Sequence, residues 1–201
     1  MAHRYPEGTV RNLLRTDHVS DATRAALTER LALSTVNAPD FFTASEFTAL
    51  RAVCDRLMPQ ADRADPIDLA GVIDRRLASG QGNGWRYDSL PPDGEMYRLF
   101  LSGLHAVARE LDGVPFAELD NHAQDEILSA VQNGETVLPV WSDVSSARCF
   151  EEILAEVAET YYAHPLAQEE IGYAGMADLP GWSRIGLNER EPREPHSDTP
   201  S

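Results

Sequence analysis

Six stretches of this chain repeat apolar residues at steps of three and four, and most open on a capping residue or close on glycine or proline. A chain written this way buries its apolar surface as packed helices. Ser20-Asp21 opens the first stretch, which runs to about Leu33 with Leu27 and Leu31 one turn apart. Thr43-Ala44-Ser45-Glu46 spells a capping box, in which the Thr43 hydroxyl and the Glu46 carboxylate satisfy amides that have no partner at a helix start. Phe47, Leu50, Cys54 and Leu57 follow as a stripe that stops before Pro59. A shorter helix is predicted over 67–79, with Leu69, Ala70, Ile73 and Leu77 on one side and Gly80 after it.

The longest stripe, Met96, Leu99, Phe100, Leu104, Val107 and Leu111, predicts a central helix over 94–111. Asp120 caps another through Gln132, with Ile127, Leu128 and Val131 facing inward and Gly134 ending it. Phe150, Ile153, Leu154, Val157 and Tyr161 mark a last helix over 147–162, whose Glu151, Glu152, Glu156 and Glu159 read as its solvated side, or as a docking site for a partner's arginines. Phe47, Leu50, Leu57, Ile73, Leu99, Phe100, Leu104, Ile127, Val131, Phe150, Leu154 and Val157 are the expected core. The one apolar run that could pass for a strand, 136–140, contains Pro139, which removes a ladder donor. The expected fold is therefore all-α: an irregular bundle of about five to six helices with a C-terminal arm rich in glycine and proline. Residues 1–19 read as an N-terminal arm, 20–162 as the bundle, 163–187 as the C-terminal arm and 188–201 as a polar tail without fixed structure.

A net charge of −16 argues against nucleic acid or an anionic membrane as partner, because both are polyanions. All 17 basic residues are arginine, a side chain suited to protein interfaces. No apolar run approaches the roughly 18 to 20 residues that span a bilayer, so no membrane insertion is expected. The N-terminus lacks the charged-then-apolar run of a secretory signal, and the only paired arginine, Arg75-Arg76, lies deep in the chain. That predicts a cytoplasmic protein, with co-export alongside a partner as the alternative. Cys54 and Cys149 are too far apart for a metal spacing or a disulfide framework, and read as buried thiols.

Catalytic patterns are weak throughout. A di-iron bundle needs Glu-x-x-His on two helices, and that tetrapeptide does not occur; His3, His18, His105, His122, His164 and His196 are scattered. Gln81-Gly82-Asn83-Gly84-Trp85-Arg86-Tyr87 has glycines but no preceding strand to make a phosphate cradle, and reads as a turn that carries Trp85 and Tyr87. No catalytic, cofactor-binding or metal-binding residue is expected.

The remaining signal lies after the last helix. Tyr161-Tyr162-Ala163-His164-Pro165 is followed by Glu170-Ile171-Gly172-Tyr173 and by Gly181-Trp182-Ser183-Arg184-Ile185-Gly186-Leu187. Large rings stand here between helix breakers, with no periodicity that would bury them. His164 reads either as a partner contact or as a helix-terminal histidine bonding the last carbonyls before Pro165 stops the helix. Tyr173 and Trp182 pack either onto their own bundle or into a partner.

These blocks resemble the C-terminal signature of the gluconate 2-dehydrogenase subunit 3 family. Upstream blocks agree in order and spacing: Phe41-Phe42-Thr43-Ala44 with Glu46; Leu50, then Val53-Cys54-Asp55-Arg56-Leu57-Met58-Pro59; Asp68-Leu69-Ala70 with Ile73-Asp74; and Gly82, Gly84-Trp85-Arg86. The resemblance implies a non-catalytic small subunit that accompanies a large FAD-dependent oxidoreductase of the glucose-methanol-choline type and supports its folding, solubility or maturation. FAD would then sit in the partner and none in this chain. Trp85, Tyr87, Tyr162, His164, Tyr173, Trp182, Arg184 and Ile185 are the candidate partner-interface residues. The competing reading is a self-contained helical small-ligand-binding protein or enzyme.

Overall fold

The computed structural model describes residues 5–82, 89–136, 138–176 and 181–197. Among them the chain forms α1 (Thr9–Leu13), α2 (Asp21–Ala32), α3 (Ala44–Leu57), α4 (Leu69–Ala78), α5 (Asp93–Asp112), α6 (Asn121–Gln132), α7 (Ser146–Tyr162) and α8 (Pro165–Glu170), with short 3-10 turns at Phe116–Glu118 and Pro139–Trp141. No strand occurs among the described residues, and the fold is an irregular all-α bundle. No helix among them is long and apolar enough to cross a membrane. The chain divides into two compact units, one of Thr35–Thr160 and one built from both chain ends, Met1–Ser34 with Tyr161–Ser201.

The central unit follows the predicted stripes. Thr43 and Glu46 form the capping box, with the Thr43 amide donating to Glu46 Oε2 at 2.8 Å and the Glu46 amide to Thr43 Oγ1 at 3.3 Å. Asp120 caps α6 by accepting from the Ala123 amide, and Gly134, at φ 69°, ends the helix as the left-handed residue such a stop requires. Leu50, Val53, Ile73, Tyr97, Phe100, Leu104, Phe116, Val131, Ile153 and Val157 are almost wholly excluded from solvent. Two aspartates fasten the connector that enters α3. Asp74, fully buried, accepts from the amides of Asp40, Phe41 and Phe42 at 2.8 to 3.1 Å, while Asp68 accepts from Val36 at 2.7 Å and caps α4 through Gly71 at 3.1 Å. A buried carboxylate without such donors would cost several kcal/mol, so the backbone of this connector and the two side chains need each other.

Three corrections apply to the expected core. Leu57 and Leu99 are only half-buried, and Leu154 is exposed. On α5 the buried face runs through Met96, Tyr97, Phe100, Leu101, Leu104, Val107 and Ala108, which leaves Leu99 off it and Leu111, in the last turn, 67% exposed. On α7 the buried face includes Glu156 in place of Leu154, contrary to the solvated position expected for that glutamate. The cause is a polar cluster: Tyr97 Oη donates to Glu156 Oε2 at 2.7 Å, and Arg76 holds both Glu156 oxygens at 2.5 and 2.6 Å while also donating to Asp93 at 3.0 Å. Burial and the adjacent Glu156 charge push the Tyr97 phenol well above its ordinary value, so it remains a donor.

In the unit made from the chain ends, Val10, Leu14, Val19, Leu27 and Met176 form a small apolar core, with Leu13 and Leu31 against it. Ser20 caps α2 as expected, accepting from the Thr23 amide at 3.3 Å. Helices α1 and α8 were not anticipated. Both are short, and α8 begins at Pro165, a residue that local sequence reads as a helix stop.

Candidate partner interface

Pro165 ends one helix and begins the next. It cannot donate a backbone hydrogen bond and its fixed φ suits the first helical position, so the chain after Tyr162 turns once and restarts as α8. His164 is the cap of that new helix, and its own backbone amide donates to the Tyr161 carbonyl in the last turn of α7 at 3.0 Å. Its Nδ1 accepts from the Leu166 amide at 3.3 Å, which leaves the proton on Nε2, placed 3.1 Å from the Arg30 carbonyl oxygen. Arg30 returns the contact by donating to the Ala163 carbonyl at 2.8 Å.

Helix α8 is held on its other side by one carboxylate. Glu169, 3% exposed, accepts from the Gly8 and Arg11 amides at 2.9 Å each and from the Arg11 guanidinium at 3.0 to 3.3 Å. Burial pushes this carboxyl upward, but the bonds from Arg11 and Gly8 outweigh burial and hold it below the ordinary glutamate value. Tyr161 Oη donates to Glu170 at 2.6 Å, tying the end of α7 to α8. The helix then ends in a Schellman turn: Gly172 at φ 65° donates to the Glu169 carbonyl at 3.2 Å and Tyr173 to the Gln168 carbonyl at 2.9 Å. Any side chain at Gly172 would also meet the Tyr5 ring, 2.8 Å from where a Cβ would stand.

This scaffold leaves its rings outward. Tyr162, Ile171, Tyr173 and Trp182 are each about half exposed, at 45 to 49%, and Ile185 and Leu187 are at 84 and 94%. Most of the large exposed hydrophobic side chains among the described residues fall in this one segment; Leu33, Leu111 and Leu154 stand elsewhere. Tyr173 and Trp182 come together over Gly175, where a Cβ would lie 3.2 and 3.1 Å from their rings. Tyr162 stacks edge-on against Tyr161 at 5.1 Å, and Arg193 covers one face of Trp182 at 4.6 Å. Arg184 is exposed beside Ile185. Of the residues expected at an interface, the structure therefore joins Tyr173 with Trp182, extends Arg184 and Ile185 on the following loop, and commits His164 to capping. Trp85 and Tyr87 lie outside the described residues. Exposed rings beside an arginine are the composition of a protein contact surface.

The family model for gluconate 2-dehydrogenase subunit 3 matches residues 44–185, well over half of the chain. The chain belongs to this family. The matched stretch begins at the first residue of α3 and ends at Ile185, so it includes Tyr162, His164, Tyr173, Trp182, Arg184 and Ile185, while α1 and α2 fall before it. No curated protein and no solved structure matches the chain.

Elsewhere, a cleft of about 240 Å³ in the central unit is lined by Thr35, Arg51, Asp55, Gln60, Ile67 and Asp68 among others. That is below the range of about 300 to 1,000 Å³ usual for small-molecule sites. Both Gln60 amide groups are already engaged, its Nε2 donating to the Ile67 carbonyl at 3.0 Å and its Oε1 accepting from the Ile67 amide at 2.8 Å. Among the described residues no three His, Cys, Asp or Glu side chains converge as a metal centre would require.

Proposed function

We propose that this chain is a non-catalytic small subunit of a sugar or alcohol dehydrogenase complex. It binds a large FAD-dependent subunit of the glucose-methanol-choline type and supports its folding, solubility or maturation. Membership in a family named for a dehydrogenase subunit supports the association. The observation that carries the binding role is the exposure of large apolar side chains after α7: Tyr162, Ile171 and Tyr173 on a framework fixed by Glu169, His164 and Gly172, and Trp182 and Ile185 further along the chain. Rings held out by buried hydrogen bonds lose little freedom on docking, which favours a contact surface. FAD and the chemistry of oxidation belong to the large subunit.

Co-expression with an FAD-dependent oxidoreductase of the glucose-methanol-choline type from the same genome tests this reading. A stable complex should co-purify, and flavin absorbance should follow the large subunit while the lone chain shows none. Trp182→Ala should weaken the complex by roughly 2 kcal/mol or more, as interface anchors do, and leave the melting temperature of the free chain nearly unchanged. A loss of about 3 to 5 kcal/mol in the stability of the free chain, with normal binding once folded, would instead make Trp182 an internal strap.

A further inference from the structure

The segment after Trp182 is held by polar contacts and leaves its large apolar side chains exposed. Glu191, only 9% exposed in a loop otherwise open to solvent, accepts from the Ser183 amide, from Ser183 Oγ at 2.8 Å and from the Arg184 amide at 2.8 Å. One carboxylate thus clips together the two ends of a loop over residues 183–191. A second clip narrows the tip: Glu189 donates to the Gly186 carbonyl at 3.1 Å, and Gly186 donates to Glu189 Oε2 at 3.2 Å. Between these two sits Asn188 at φ 63°, a left-handed position that asparagine tolerates better than most side chains. Ile185 and Leu187 stand on this clipped tip, 84 and 94% exposed. The bonds that shape this loop are polar, and they leave both of its large apolar side chains in solvent.

Charge tells what the loop can meet. Glu191 accepts through Oε1 and Glu189 through Oε2 from groups of the loop itself, and Arg184 and Arg190 are in no ion pair with a carboxylate among the described residues; Arg184 reaches the Arg190 carbonyl at 3.5 Å, and Arg190 lies 3.3 Å from His196. Two apolar tips flanked by two open guanidinium groups are an exception in a chain of net charge −16. An anionic membrane would meet that net charge and be repelled over the rest of the surface, while a local acidic rim on a protein meets only the loop.

Resting on the subunit reading above, we infer that residues 183–191 form a preformed anchor whose Ile185 and Leu187 enter an apolar pocket with an acidic rim on the large dehydrogenase subunit, with Glu191 as the positioning residue. Leu187 joins the interface by this argument, and Glu191 acts through the loop without touching the partner. Because the clipped loop is already in its bound shape, little ordering cost opposes docking.

The test is surface plasmon resonance of the full chain on the immobilised large subunit with which it co-purifies. The double variant Ile185→Asp/Leu187→Asp should weaken the dissociation constant at least about thirtyfold without moving the melting temperature of the free chain. Glu191→Ala should weaken binding about tenfold, and Glu191→Gln, which keeps an acceptor for the Ser183 and Arg184 amides, should stay near wild type. Arg184→Gln/Arg190→Gln should slow association and flatten its salt dependence. Wild-type affinity in the Ile185→Asp/Leu187→Asp chain would overturn the anchor while leaving the subunit reading intact. Binding of the wild-type chain to phosphatidylglycerol vesicles, lost in the same variant, would also overturn it, in favour of a membrane contact. Failure of the wild-type chain to bind the large subunit at all would overturn the subunit reading itself.

Discussion

Replacing Glu169 by alanine should free α1 from α8 while leaving the central unit folded. The wild-type carboxylate serves the Gly8 and Arg11 amides at 2.9 Å and the Arg11 guanidinium at 3.0 to 3.3 Å. Each amide bond contributes a net of about 0.5 to 1.5 kcal/mol, and acceptance by a charged group puts both toward the upper end. The Arg11 side chain is 41% exposed, so its ion pair is screened and adds no more than about 1 kcal/mol. Together these predict a loss of about 2 to 4 kcal/mol for Glu169→Ala, and about half of that for Glu169→Gln, which retains one carbonyl oxygen. Hydrogen exchange of the Thr9–Leu13 amides reads this directly, because a local opening is seen there without global unfolding.

The pH dependence gives an independent check. The carboxyl is held below its unfolded value, so its contribution is complete above that value and is lost as pH falls through the lower folded one. Acid should therefore release the α1 amides in the wild-type chain, and Glu169→Gln should flatten that acid limb. Unchanged α1 protection in Glu169→Ala, or an acid limb retained in Glu169→Gln, would refute the latch.

Three other outcomes follow from the central unit. Gly103→Ala should lower the melting temperature by the equivalent of about 1 to 3 kcal/mol or more, since the new Cβ would stand 1.9 Å from Trp141 Cζ2 and force that ring out of place. Tyr97→Phe should cost about 1 to 2 kcal/mol, because Glu156 keeps Arg76; Arg76→Ala should cost about 3 to 5, because it strands a buried carboxylate, and denaturant melts giving the reverse order would sink this account of the cluster. Cys54 and Cys149 are free and buried, and burial pushes both thiols upward, Cys149 to about 12, so a disulfide reagent at neutral pH should label neither until the chain is unfolded.

What the sequence made legible, and what it hid, divides along one physical line. Stripes, caps and glycine stops depend on residues within a turn or two of each other, so α2 through α7 and the Thr43–Glu46 box are readable from spacing alone. Leu57, Leu99 and Leu154 were misplaced because period says which side of a helix is apolar and not where its neighbours stop. Glu156 shows the limit most clearly. By polarity it belongs outside, yet Arg76, 80 positions earlier, and Tyr97, 59 earlier, make its burial possible, and no local rule sees partners at such distances.

The same limit hid α8. Proline reads as a helix stop when the preceding helix is in view, and as a first helical residue only once a cap is recognised, and histidine is not among the usual capping residues. Glu169 carries no local signal either, because the Gly8 and Arg11 amides it serves lie more than 150 positions earlier. The candidate interface was nonetheless partly visible, because rings set among glycines and prolines have no periodic core to enter and must be placed by something else. In the structure that something is a short set of hydrogen bonds: two long-range ones, Arg11 to the Glu169 carboxylate and His164 with the Arg30 carbonyl, and a local one from the Arg184 amide to Glu191. Around these bonds Tyr173, Trp182, Ile185 and Leu187 remain exposed, and this clustering of large apolar side chains on one segment is what the proposed docking role rests on.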